Sequence, residues 1–158
     1  MTMARSPARH EKIIIYSGSN DPRADFSVRK RRQPMTVREV YAELGGDYDE
    51  IMSRIPDEAF IEKYLKKFAG VDYAAQVEEV AAGGSAEEIF KMAHGIKGMG
   101  LNLALTGTVD VSEEICTLLR GKTSMTADEA AQAKDLSARL AEECRRTVSV
   151  IQNAFLAN

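Results

Sequence analysis

The chain has 158 residues with a formal net charge of −3, 44% apolar and 28% charged side chains, two cysteines and no tryptophan, which suits one domain with a real core. No apolar run approaches the roughly 20 residues of a membrane span and the start of the chain lacks the apolar segment of a secretory signal, so the expected setting is cytoplasmic, with no membrane partner. CxxC, HExxH and glycine-rich phosphate loops are missing, which excludes the commonest zinc and nucleotide sites, and four prolines with few β-branched runs favour an all-α chain.

The charge is unevenly spread. Residues 1–34 hold eight basic and three acidic side chains, a formal +5, leaving −8 on the remainder. This basic arm has Pro7, Pro22, Pro34, scattered polar residues and one short apolar run, Ile13-Ile14-Ile15-Tyr16, without a partner strand. It is expected to be mostly disordered. The run Arg29-Lys30-Arg31-Arg32 suits a nucleic-acid or membrane contact, or simply a solvated tail. The acidic body argues against nucleic acid as the partner.

Residues 35–158 are read as the folded unit. Thr36-Val37-Arg38-Glu39 has the form of a capping box and opens a short helix ending at Gly45-Gly46. Asp47 starts a second piece through about Arg54, and Pro56-Asp57 restarts the chain. Phe60, Ile61, Tyr64, Leu65 and Phe68 recur at helical spacing. Gly70 is expected to bend that helix, and Tyr73, Val77 and Val80 continue its apolar face to a stop at Gly83-Gly84. Ser85-Ala86-Glu87-Glu88 is a second capping box, opening a helix to about Leu101. A further helix spans Gly107 to Leu119, although Gly107-Thr108-Val109-Asp110 is a poor helix start. Thr126-Ala127-Asp128-Glu129, a third capping box, opens a long helix with an apolar stripe from Ala133 to Phe155. Cys116 and Cys144 fall within helices and read as small buried hydrophobes rather than a disulfide. Long amphipathic helices on short loops predict an antiparallel four-helix bundle with a short N-terminal helical cap.

The helix opened by Ser85 carries the chemistry. At about 100° per residue, Ile89, Ala93, Ile96, Gly100 and Leu103 share one side, the predicted core face, flanked by Met92 and Met99. His94 lies roughly 160° round from Ile96 and should face solvent. Its outer-face neighbours are Glu87, Phe90, Lys91, Lys97, Gly98 and Leu101. Phe90, Lys91 and Leu101 make a candidate docking stripe for a protein partner. Gly98 costs the helix about 1 kcal/mol relative to alanine, which calls for close approach by a partner or a phosphoryl group. Lys97, one turn beyond the histidine, places an ammonium near phosphate oxygens. A free imidazole is largely neutral, hence nucleophilic, at pH 7. The plainer alternatives are a surface histidine without a role and a glycine that makes room for a neighbouring helix.

Ala93-His94-Gly95-Ile96-Lys97-Gly98-Met99-Gly100-Leu101-Asn102-Leu103 resembles the signature of histidine-containing phosphotransfer (HPt) domains, over about residues 36–156. The resemblance implies a four-helix bundle whose second long helix exposes the phosphorylated histidine. It implies that His94 accepts a phosphoryl group from the aspartyl phosphate of a response-regulator receiver domain and passes it on or returns it. Lys97 would steady the phosphate and Gly98 would make room for the receiver. Asn102 would position the helix end. A hybrid sensor kinase is a further implied partner. The Mg²⁺ would sit on the receiver, so no cofactor is assigned to this chain. The sequence departs from the family at Ala104, where glycine is usual, and at Thr108, where leucine is usual; both concern packing of the next helix.

Phosphoryl transfer needs alignment and charge neutralisation more than acid–base groups. Nothing in the sequence binds ATP, so the chain is expected to relay phosphate as a monomer, without being a kinase or other enzyme. The competing expectation is a non-catalytic module that docks a receiver or other signalling partner through Phe90 and Leu101.

Overall fold

The three capping boxes set the helix starts. In the computed structural model, which describes residues 34–157, the hydroxyls of Thr36, Ser85 and Thr126 each accept from the backbone N–H three residues on, and Glu39, Glu88 and Glu129 each accept from the cap's own N–H at 2.7–2.9 Å. Such reciprocal caps satisfy N–H groups that the first turn leaves without partners, worth roughly 1 kcal/mol each. The expectations for the arm, including Ile13–Tyr16 and Arg29–Arg32, fall on residues outside the described ones.

Seven α-helices and no strand make up the described residues, so the chain there is all-α. They are α1 (Val37–Leu44), α2 (Tyr48–Arg54), α3 (Glu58–Ala69), α4 (Tyr73–Gly83), α5 (Ala86–Asn102), α6 (Thr106–Leu119) and α7 (Ala127–Phe155). None is long and apolar enough to cross a membrane.

Gly70 ends a helix where a bend was expected. Its N–H reaches the carbonyls of Lys66 and Lys67, and Asp72 caps a new helix through Ala75 N–H at 3.0 Å. The apolar phase still runs through the break: Ile61, Leu65 and Phe68 are buried on α3, and Tyr73 and Val77 on α4. Phe60 and Tyr64 do not join them. They stand 52% and 43% exposed, because the core stripe of α3 passes through Ile61 and Leu65 instead. Gly84, in extended rather than left-handed conformation, closes α4.

The long α7 is the spine. Its stripe Ala133, Leu136, Leu140, Cys144, Thr147 and Ile151 is buried, while Phe155 is only half-buried. Helices α3, α4 and α6 pack along it, and α5 packs between α6 and α4. Both cysteines are free and buried, and burial lifts the Cys144 thiol to about 12, as expected of small hydrophobes.

The short front helices hold the C-terminal end of α5. The buried Tyr41 hydroxyl donates to the Leu103 carbonyl at 2.7 Å, Arg54 Nη1 to the Leu101 carbonyl at 2.9 Å, and the Asp47 N–H to the Ala104 carbonyl at 3.1 Å. These groups take carbonyls that a helix end leaves without partners. Asn102, expected to position the helix end, is exposed. Immediately beyond, Ala104 turns the chain at φ +50°, a left-handed conformation that favours glycine. That is the physical reason a glycine suits this position. Helix α6 then starts at Thr106, one residue early, with no side-chain cap. Thr108 is buried there, its hydroxyl without a hydrogen-bond partner among the described residues.

Candidate functional site

Helix α5 separates its residues by the rule the sequence gives. Ile89, Ala93, Ile96, Gly100 and Leu103 are buried, and His94 is exposed at mid-helix. The imidazole lies nearly parallel to the Phe90 ring, with centroids 5.7 Å apart and planes 15° apart. Phe90 is half-buried, so it is a platform under the histidine as well as part of the outer stripe. Offset stacking of this kind is a favourable arrangement of two rings.

The glycines of α5 divide in the same way. A Cβ on Gly100 would stand 2.9 Å from Val109 Cγ2 on α6: this glycine permits the close approach of α5 and α6. A Cβ on Gly95 or Gly98 would meet nothing within 4 Å. Internal packing therefore requires neither, and room for a neighbouring helix does not account for Gly98. Together the two leave a bare patch beside His94.

Lys97 is not a free cation. Its ammonium pairs with Glu113 of α6, and its side chain is only 22% exposed. Glu113 Oε2 is buried, with the Lys97 ammonium against it, and Arg120 Nη2 approaches the other oxygen at 3.6 Å. The Lys97 ammonium against it is the main reason the Glu113 carboxyl is held below its usual range, and the charges of Arg120 and His94 act in the same direction, against desolvation. His94, Phe90, Lys97 and Glu113 are thus one electrostatic neighbourhood.

Lys91 stands apart from that group. It is exposed and paired at 2.7 Å with Glu87, one turn back on the same helix. Leu101 is 47% exposed, two turns beyond the histidine. Glu113 and Arg120 are the residues that sequence reasoning does not reach. Both flank the buried stripe Ser112, Ile115, Cys116 and Leu119 of α6; the packing of α6 on α5 brings Glu113 to Lys97, and Arg120 reaches Glu113 from the end of α6. Among the described residues, no group of three or more histidine, cysteine or acidic side chains is placed to hold a metal ion. The arrangement presents the His94 imidazole with open space beside it and, one turn away, a lysine ammonium paired with Glu113.

No family model matches the chain, and no curated protein or solved structure matches it either.

Proposed function

We propose that the protein is a phosphorelay intermediate of the histidine-containing phosphotransfer type, with His94 as the phosphorylated residue. The observation that carries this reading is the bare outer face of α5: an exposed histidine beside Gly95 and Gly98, two glycines that cost helix stability and that the fold does not require. The contacts of α4, α5, α6 and α7 support the finer fold in this proposal, an antiparallel four-helix bundle with the front helices as its cap.

In the proposed step a ring nitrogen of His94 attacks the phosphorus of an aspartyl phosphate on a receiver domain. The P–N bond forms as the P–O bond to the aspartyl carboxyl breaks, and the carboxylate leaves with the electron pair. The second ring nitrogen keeps its proton, giving a phosphoimidazolium that loses it to water. The reverse step returns the group or passes it to another receiver. The receiver brings the Mg²⁺; this chain contributes the nucleophile and the alignment. Lys97 parts from Glu113 to reach the phosphate oxygens, so Glu113 sets how readily the phosphorylated state forms. The protein acts as a cytoplasmic monomer without kinase activity of its own, and a hybrid sensor kinase is a further partner.

The test is the loss of phosphate from a panel of phosphorylated receiver domains on addition of the full chain. The reading requires that one of them discharges faster with the native chain, and that His94→Gln removes the acceleration while leaving helical circular dichroism unchanged. The second reading, a docking module without transfer, draws on the exposed Leu101, three turns along α5 from Phe90 on the same outer face. It requires receiver binding that is indifferent to His94→Gln and weakened by Phe90→Ala.

A further inference from the structure

A second concavity lies away from the histidine. A cavity of about 720 Å³ opens between the end of α2, α3, the α3–α4 link and the last turns of α5. Its walls are apolar, formed by Ile55, Phe68, Val71, Met99 and Leu103. The volume falls within the range of small-molecule sites. Met99 and Leu103 are about 140° and 180° round α5 from His94, so this concavity is separate from the histidine face and the inference does not depend on what His94 does.

Charge and hydrogen bonding define the ligand. No carboxylate lines the cavity, although the chain beyond residue 34 carries a formal −8. Two cations line it, Arg54 and Lys67. The Arg54 guanidinium is already engaged by Glu50 and the Leu101 carbonyl, whereas Lys67 has no acidic partner among the described residues. On the wall, the Tyr73 hydroxyl donates to Met99 Sδ at 2.8 Å. A thioether is a weak acceptor, so the hydroxyl is available to a stronger one. Tyr64, 43% exposed at this cavity, adds aromatic surface that the core leaves uncovered.

We propose that this cavity binds a small amphipathic carboxylate, its apolar body against Phe68, Val71 and Met99 and its anionic head at the Lys67 edge. A positive edge in an acidic body selects an anion, and the apolar wall selects one with a hydrocarbon or aromatic body. The chain's own basic arm has the wrong sign for that edge.

The experiment is a titration of the full chain, labelled at its methionine methyls, with decanoate, decanol and decyltrimethylammonium as probes, all below micelle formation. The Met99 methyl resonance is expected to shift and saturate with decanoate at a concentration about tenfold lower than with the alcohol or the cation. Met125, on the α6–α7 connection, is expected to stay still. Lys67→Glu is expected to remove the preference for decanoate, and Val71→Trp, which fills the cavity, to remove the Met99 response. Lys67 is exposed, so its variant keeps the charge test intact if the filled variant misfolds. A Met99 resonance that does not move, one that responds equally to the three probes, a preference that survives Lys67→Glu, or equal movement of Met125 would overturn the proposal.

Discussion

The two faces of α5 obey different rules. On the inner face every residue answers to packing: Ala93 and Ile96 are buried, and Gly100 is a glycine because Val109 of α6 leaves no space for a Cβ. On the outer face Gly95 and Gly98 have open space beside them, and the His94 imidazole lies against the Phe90 ring. A glycine in open space within a helix weakens the fold without helping it. The difference teaches where to look for function in a helix: at residues whose cost the packing does not explain.

Substitutions can break this comparison. Gly100→Val puts a branched side chain into the α5–α6 contact and is expected to destabilise the protein by about 2 kcal/mol in denaturant unfolding; a neutral result would remove the packing account of the inner face. Gly98→Ala is expected to do the opposite, stabilising by about 1 kcal/mol while slowing transfer from a receiver about tenfold through misalignment. If the variant is stabilised and transfer is unchanged, Gly98 makes no room for a partner.

A smaller effect sharpens the contrast at the end of the helix. Ala104→Gly relieves a left-handed alanine, a gain of roughly 1–2 kcal/mol partly offset by the freer unfolded chain. The expected net is about 0.5 kcal/mol of added stability by thermal unfolding, with no change at the histidine.

Stability is also expected to depend on pH. The carboxyls of Glu88 and Glu113 are held low, the first by hydrogen bonds at the Ser85 cap and the second by Lys97. A lowered folded-state value means that their contribution is fully present above the ordinary carboxylate value of 4.5 and is lost as pH falls through the lower folded one. Melting temperature is therefore expected to fall as pH drops below that value, and Glu88→Gln or Glu113→Gln to flatten the fall.

What the sequence makes legible follows from range. Caps at Thr36, Ser85 and Thr126 are i,i+3 chemistry, and the exposed position of His94 follows from the helical period, so both are readable locally. The end of α3 at Gly70 is not, since the apolar spacing carries through it from Leu65 to Val77. Exposure of Phe60 and Tyr64 depends on which side of α3 meets α7. The partner of Lys97 depends on α6 lying beside α5, which sets Glu113 there across sixteen positions of sequence. The left-handed turn at Ala104 is hidden because the residue is not glycine.

The most direct test of the outer-face account is to find the phosphate. The full chain would be incubated with a phosphorylated receiver and Mg²⁺, and its mass measured under neutral conditions before and after brief acid treatment. The sequence holds two histidines, His10 and His94, so peptide mapping separates them. The account predicts one acid-labile, base-stable addition of about 80 Da, on His94 and missing from His94→Gln. An adduct on His10, an acid-stable adduct, or a folded chain that stays unmodified with every receiver would contradict it.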